Sequence, residues 1–487
     1  MKKFRELLVS FGMAALTVVG CTTLPQYASA QVVDPSEAGT IALNDEEAYR
    51  VKTDIPVLTH KGKDVYIPKD LREMDLNDPN SKWSYHRMVE TPNIVLFWAP
   101  GFGNNIATAP DYVEVAGDTI PGATGEAGKH HDMKVDLANL LARLEHFYDY
   151  FYNDLAFVKP GTKADKYKMM VMLDYSLEGT AYGGDYDGQI GALWIAPNRV
   201  KDEKLNCIAH ELGHSFQLQI SCDGEGDAWG GNGMFEMASQ WMLWQVNPDW
   251  QTDENYHLNV FRDQTHKAFL HIDNIYRSPY VLELWGEKHG RGIIAELFRQ
   301  GKLGEDPVDT YKRVTGISQK EFNDEMWHNY ARLINWDIDR VRENARPYAN
   351  KWHTKMVDAG GGWLRVAPDN APENYGFNAI ELPLPEPGRT VTVDFRGEAG
   401  RKGYFTKNKQ KAGWRYGIVA VDADGNTHYG DMQDAAKGRV SYTAPSSGKT
   451  EHLWLVVMGA PTEHWRNIDG EENPGDAQWP YSIKIMK

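Results

Sequence analysis

The sequence predicts an α+β domain followed by an all-β sandwich. Over residues 85–350, short apolar runs alternate with longer segments whose apolar residues recur every three or four positions. Over residues 358–487 the runs are short, rich in β-branched and aromatic residues, and separated by Gly, Pro and Asp-Gly turns. A third observation, the run His210-Glu211-Leu212-Gly213-His214, gives the first of these regions a chemical site.

Composition bounds the answer. At 487 residues the chain is long enough for two or three domains of roughly 100–200 residues. With 41% apolar and 25% charged residues it can bury a core, which argues against wholesale disorder or a multi-span membrane protein. The net charge of −16, without a basic tract, makes nucleic acid an unlikely partner. Three cysteines are too few for a disulfide scaffold.

The N-terminus, residues 1–30, reads as an export signal: Lys2, Lys3 and Arg5 precede an apolar stretch from Leu7 to about Gly20. Two processing readings compete. Val18-Val19-Gly20-Cys21 resembles a bacterial lipobox, which implies a lipid anchor on Cys21, whereas Ala28-Ser29-Ala30 before Gln31 resembles an ordinary cleavage site. Either places the mature chain outside the cytoplasm, on the cell surface or as a secreted or periplasmic protein. Cys207 and Cys222, on one helix, would sit roughly 22 Å apart at about 1.5 Å per residue, so no disulfide is expected between them.

The elements follow in order. Residues 31–84 are polar and turn-rich, a lead-in segment that could act as a pro-segment. Residues 93–98 form a buried-strand candidate ended by Pro100-Gly101, and 133–154 an amphipathic helix. Residues 168–174 and 191–196 are two more strands, the latter read as an edge strand, and a helix follows from about 202 to 219. A glycine-rich loop covers 221–233, and helical stretches reach about 345. In the β region, strands are expected at 379–384, 390–395, 416–421 and 452–458.

On a helix, positions i and i+4 share a face, so His210 and His214 converge on one point, and Glu211 can reach water held there. Two neutral imidazoles at this spacing suit a zinc ion. Gly213 costs about 1 kcal/mol relative to Ala inside a helix, which close helix–strand packing would explain. A third ligand is needed. The metzincin spacing requires Gly at 217 and His at 220, where the chain has Gln217 and Ile220, so that class is excluded. Asp223 and Asp227 lie in the glycine-rich loop. Glu236 is the preferred ligand, because a carboxylate at the start of the strongly apolar helix Met234–Trp241 needs a partner, and a metal provides one.

His210-Glu-Leu-Gly-His214 with Glu236 on a second helix resembles the gluzincins, the thermolysin-like clan of zinc metallopeptidases. More narrowly, it is similar to secreted bacterial gluzincin-like families of uncharacterised function in which a β-sandwich follows the catalytic domain. The resemblance implies a zincin-like catalytic domain over 85–350, Zn2+ held by His210, His214 and Glu236, and Glu211 as general base. It also implies that the strand before the zinc helix, here 191–196, binds extended substrate by β-pairing. The clan often carries an acidic residue three or four positions after its glutamate ligand; this chain has Ser239 and Gln240 there.

A tetrahedral oxyanion needs a further donor. By the same resemblance to aminopeptidase-like relatives, Tyr276 is the first choice and Tyr280 the second, ahead of His266 and His271. Asp422-Ala-Asp424-Gly-Asn426 reads as a hairpin turn rather than a calcium loop. Trp363, Trp414, Trp454, Trp465 and Trp479 could fill a core or stack on sugars. The expectation is therefore an exported zinc peptidase acting on proteins or glycoproteins. The alternatives are an enhancin-like, mucin-directed peptidase, with glycan contact by the C-terminal domain, and a glycan-binding surface lipoprotein without catalysis.

Overall fold

The computed structural model describes residues 50–52, 62–114, 128–177, 181–226, 234–447, 449–466 and 476–486. The export signal, Cys21 and Asp227 lie outside the described residues. Helices and β-sheets are both present, with sheets making up most of the C-terminal region. The chain divides into two compact units. One comprises Met1–Gly231, Ala238–Asn247 and His289–Leu303, the other Asn232–Met237, Pro248–Lys288 and Gly304–Lys487.

The first unit is built on a six-stranded sheet: β1 (Arg50–Lys52), β2 (Met88–Glu90), β3 (Ile94–Trp98), β4 (Met169–Leu173), β5 (Ala181–Tyr186) and β6 (Ile190–Ile195), in the order β1-β2-β3-β4-β6-β5. The β3–β4 and β4–β6 pairings are parallel, and β5 runs antiparallel to β6. Every residue of β3 and β4 is buried, which is why both read as unbroken apolar runs. Helix α1 (Leu137–Asp149) starts at its cap Asp136, whose carboxylate accepts from Asn139 N at 2.9 Å, and continues into a π-helical turn over Tyr150–Asp154. Its Leu140, Leu141, Leu144 and Phe147 are buried.

Helix α2 (Asn206–Cys222) carries the His-Glu-Leu-Gly-His run and lies against β5 and β6. Two glycines permit that approach. A Cβ on Gly183 would fall 1.9 Å from Glu211 O, and one on Gly191 would fall 2.6 Å from Ser215 O. Gln219 Oε1 accepts from Gly191 N at 2.7 Å, and Ser215 Oγ donates to Ala192 O at 2.7 Å. Cys207 and Cys222 stand at opposite ends of α2 and form no disulfide.

Two expectations are corrected here. Strand 191–196 is not the sheet edge: β6 is flanked by β4 and β5, and β5 is outermost. Of the two glycines in Ala181-Tyr-Gly-Gly-Asp-Tyr186, Gly183 serves the close approach of α2, while Gly184 makes room for the Trp194 ring. The lead-in region is also part of the fold from residue 62 onward. Asp64 bridges Tyr167 in parallel, Leu71, Leu76 and Trp83 are buried, and Arg87 is buried with its guanidinium on backbone carbonyls.

In the second unit two sheets share one core. Strands β7 (Met356–Gly360), β8 (Trp363–Val366), β10 (Thr390–Gly397), β13 (Lys437–Thr443) and β15 (Tyr481–Met486) form a sheet in the order β13-β10-β15-β8-β7. Strands β9 (Phe377–Glu381), β11 (Trp414–Asp422), β12 (Thr427–Tyr429) and β14 (Thr450–Gly459) form another in the order β9-β14-β11-β12. Val393, Phe395, Tyr416, Leu455, Tyr481 and Ile483 meet between them. Asp422 Oδ1 accepts from Asp424 N at 3.0 Å and Asn426 N at 2.9 Å, which makes the segment a hairpin turn. Helix Gln319–Leu333, opened by a Ser318/Glu321 capping box, packs on β11 and β14, where Trp327 Nε1 donates to Val456 O at 3.1 Å. No helix among the described residues is long and apolar enough to cross a membrane.

Candidate metal centre

Helix α3 (Met234–Val246) brings the second half of the site. Its Met237, Ala238, Trp241, Met242 and Trp244 are buried, and Ser239 Oγ donates a short hydrogen bond to His210 O. Gly213 lies under this contact: a Cβ there would fall 2.5 Å from Ser239 Oγ and 3.3 Å from Met242 Sδ. The glycine inside the helix is therefore required by helix–helix packing, not by the sheet as expected from the sequence.

The two imidazoles converge. His210 Nε2 and His214 Nε2 are 3.2 Å apart, with the rings nearly perpendicular at 86°. His210 is buried and His214 half-buried. His210 Nδ1 lies 2.9 Å from Gln240 Oε1, and His214 Nδ1 lies 3.0 Å from Gln217 Oε1. An amide oxygen only accepts, so these contacts favour the tautomer with the proton of each ring on Nδ1 and turn both Nε2 atoms toward one point as acceptors. Two ring nitrogens turned to one point could hold a metal ion together. One ligand atom each from His210, His214 and Glu236 all lie within 4.8 Å of one another.

This donor set fits zinc. Two nitrogens at about 2.0–2.1 Å from a tetrahedral ion stand about 3.3 Å apart, close to the separation of the imidazoles, and two histidines with one carboxylate leave a fourth position open. Glu211 sits beside them, half-buried, with its Oε2 accepting from Gly183 N at 3.0 Å. The edge strand thus holds one oxygen of the carboxylate.

Other residues singled out in the sequence stand elsewhere. Asp223 Oδ1 accepts from Lys163 N at 2.9 Å and Gln219 Nε2 at 3.0 Å, tying the end of α2 to the connection between α1 and β4. Tyr276 is half-buried in the turn ahead of helix Tyr280–His289, in the second unit. Tyr280 is fully buried, its ring against Phe261 (4.8 Å) and Trp336 (4.9 Å), and burial pushes its phenol up, so it has no hydroxyl to offer a substrate. His266 and His271 are buried and held down to about 4 by desolvation; His271 Nδ1 accepts from Asp273 N at 3.0 Å, capping a short helix. Trp414, Trp454 and Trp479 are core residues, whereas Trp363 is half-exposed with the Arg396 guanidinium 4.3 Å from its ring.

Sequence reasoning missed three contributors. Gln217 is one turn after His214, Gln240 is four residues after Glu236, and the Gly183 amide is invisible to any side-chain motif. A further cluster, Asp306, Asp309 and His464, is accounted for by hydrogen bonding. Gln319 Nε2 donates to Tyr375 Oη at 3.2 Å, Tyr375 faces His464 Nδ1 at 2.9 Å, and His464 Nε2 meets Asp306 Oδ2 at 2.8 Å.

Comparison with known proteins adds a family. The profile of a family of unknown function, DUF6055, matches residues 58–487. No curated protein matches the chain. Among solved structures, it is similar to the C-terminal family 22 carbohydrate-binding module of Clostridium thermocellum Xyn10B, at 14% identity over 27% of this chain and 77% of that one, with a TM-score of 0.16. It is similar to a family 16 carbohydrate-binding module at 9% identity over 27% and 90%, TM-score 0.16. The Glycosylation Associate Protein (Gap123) complex from Streptococcus agalactiae matches at 10% identity over 27% and 38%, TM-score 0.15. Scores this low decide neither fold nor ligand.

Proposed function

The chain belongs to the family of unknown function DUF6055, and from that premise we propose that it is an exported, zinc-dependent peptidase of gluzincin-like type, acting on proteins or glycoproteins. In this reading the first unit is a zincin-like catalytic domain and the C-terminal sheets are a β-sandwich appended to it. One observation carries the proposal: the 3.2 Å approach of two Nε2 atoms, each with its Nδ1 turned to an amide oxygen, beside the Glu236 carboxylate.

His210, His214 and Glu236 would hold the ion. Bound zinc supplies a Lewis acid for the scissile carbonyl and brings the pKa of water towards about 7. Glu211, steadied by the Gly183 amide, takes a proton from the attacking water and passes it to the leaving amine. β5, the outermost strand, gives an extended peptide a backbone to pair with directly beside Glu211. A structural zinc site would have no use for Glu211, which favours hydrolysis over a purely adhesive role.

The test is hydrolysis of casein and mucin by the wild-type chain, with and without chelator, and by Glu211→Gln. Cleavage is expected to need metal and to fall by at least 100-fold in the variant. Equal cleavage by Glu211→Gln would reject its role as base, and a purified chain without zinc or hydrolysis would reject the enzyme.

A further inference from the structure

The face of β5 turned away from α2 carries aromatic rings that the proposed chemistry does not use. Tyr182 stands directly opposite Trp194 in the β5–β6 register, and their rings stack at 4.8 Å and 9°. Tyr186 flanks the same indole at 4.9 Å and 57°. Gly184 lies beneath it: a Cβ there would fall 2.8 Å from Trp194 Cζ3, so the missing side chain lets the indole lie down on the strand. Trp194 is half-buried, and Tyr182 keeps 46% of its surface exposed.

This arrangement is a cross-strand aromatic ladder that stops at the sheet edge. Side chains directly opposite on paired strands stand about 4.5–5.5 Å apart at Cβ, within reach of ring stacking. A peptide pairing along β5 places alternate side chains on the Tyr182 face, next in line after Trp194 and Tyr182. One residue along β5, Gly183 holds the Glu211 carboxylate, so that position is a near neighbour of the bond under attack.

We propose that the Tyr182–Trp194 pair is a specificity subsite for an aromatic side chain of an extended peptide substrate. The ladder favours a planar group attached directly to the paired residue. A sugar linked through a side-chain oxygen begins farther out, beyond the Tyr182 ring. An aliphatic side chain would need an enclosing concavity, whereas this surface is open and flat. The inference rests on the peptidase reading for its placement beside the scissile bond.

Two measurements separate the failure of one from the failure of the other. Binding of blocked hexapeptides that differ only in one residue (Phe, Leu, Ala, or Thr carrying N-acetylgalactosamine) is measured calorimetrically on the zinc-loaded Glu211→Gln chain. Cleavage sites in casein are mapped by mass spectrometry with the wild type. The Phe peptide is expected to bind about tenfold more tightly than the Ala peptide, with cleavages clustering at a fixed offset from Phe, Tyr and Trp. Tyr182→Ala brings the Phe-to-Ala ratio towards one, and Tyr182→Phe restores it. Both substitutions sit at an exposed position that the core does not depend on. Preference for the glycosylated or the Leu peptide, or a ratio unmoved by Tyr182→Ala, overturns the subsite. A clear Phe preference in binding without hydrolysis by the wild type keeps the subsite and sinks the peptidase.

Discussion

Gln240 Oε1 lies 2.9 Å from His210 Nδ1, and this contact from one helix to another decides which nitrogen of His210 is left for a metal. A carboxylate at that position would lend the ring negative charge, but the amide lends only direction. Gln240→Ala should let the imidazole rotate and lower zinc affinity by about 10- to 100-fold. Gln240→Glu should hold the ring and raise affinity above wild type. Competition against a chromogenic chelator reads both, and equal affinities across the three chains would mean that Gln240 merely fills space.

Gly183 couples the edge strand to the helix. Its amide holds Glu211 Oε2 at 3.0 Å, and an added methyl would meet Glu211 O at 1.9 Å and His214 Cβ at 2.7 Å. Gly183→Ala should therefore push β5 off α2, costing about 1–3 kcal/mol of stability and weakening zinc binding at the same time. Gly188→Ala, in the adjoining β5–β6 turn where a Cβ meets nothing within 4 Å but φ is +64°, serves as the comparison. It should carry only the backbone penalty and leave zinc affinity unchanged. Thermal melts and the chelator titration distinguish the two.

These two residues also mark what could be read without coordinates. The α2 motif was legible because two histidines at i and i+4 on a helix have one geometric outcome, and Glu236 because a carboxylate heading an apolar helix needs a partner. β5 is illegible because its glycines erase the alternation that announces a strand; Gly183 lets the backbone of α2 in and Gly184 makes room for the Trp194 ring. β13 (Lys437–Thr443) was missed for a related reason: only Val440 in it is buried, so no apolar alternation is present to read. Gln217 is only a mismatch to the metzincin spacing in the sequence, because its role lies in an oxygen turned to His214 Nδ1, which no spacing rule encodes.

Buried titratable groups in the second unit set a pH dependence for the metal-free chain. Burial holds His266 and His271 at about 4, below the ordinary value near 6.5, and raises Glu373 to about 7 despite the Lys267 ammonium 3.8 Å away. Between pH 4 and 6.5 each histidine is neutral when folded and protonated when unfolded, so the unfolded state binds more protons and stability rises with pH. Glu373 acts oppositely: from about 4.5 to 7 the folded state holds the extra proton, and stability falls as pH rises. Two groups against one leave a net increase up to about pH 6.5. The melting temperature in chelator should climb across that window, less steeply in His266→Asn and more steeply in Glu373→Gln. Unchanged slopes in both variants would remove these groups as the cause.

The segment before β2 should be needed for folding rather than removable. Lys63 Nζ donates to Tyr148 Oη at 2.7 Å and lies 4.5 Å from that ring's centre, and Asp64 exchanges backbone hydrogen bonds with Lys166 and Lys168 at 2.8 and 2.9 Å. Tyr66 donates to Asp187 Oδ2 at 2.9 Å in the turn that joins β5 to β6, so this segment also braces the edge strand. Arg87 is 1% exposed and donates to the carbonyls of Trp98, Pro79, Ser81 and Lys82. Arg87→Met keeps the bulk but strands those acceptors, and at about 1–3 kcal/mol for each buried group left unsatisfied the loss should exceed any surface substitution. A chain beginning at residue 62 is expected to melt cooperatively and bind zinc, whereas one beginning at 88 is expected to aggregate. Full zinc binding by the shorter chain would show instead that residues 62–87 cover a unit already complete without them.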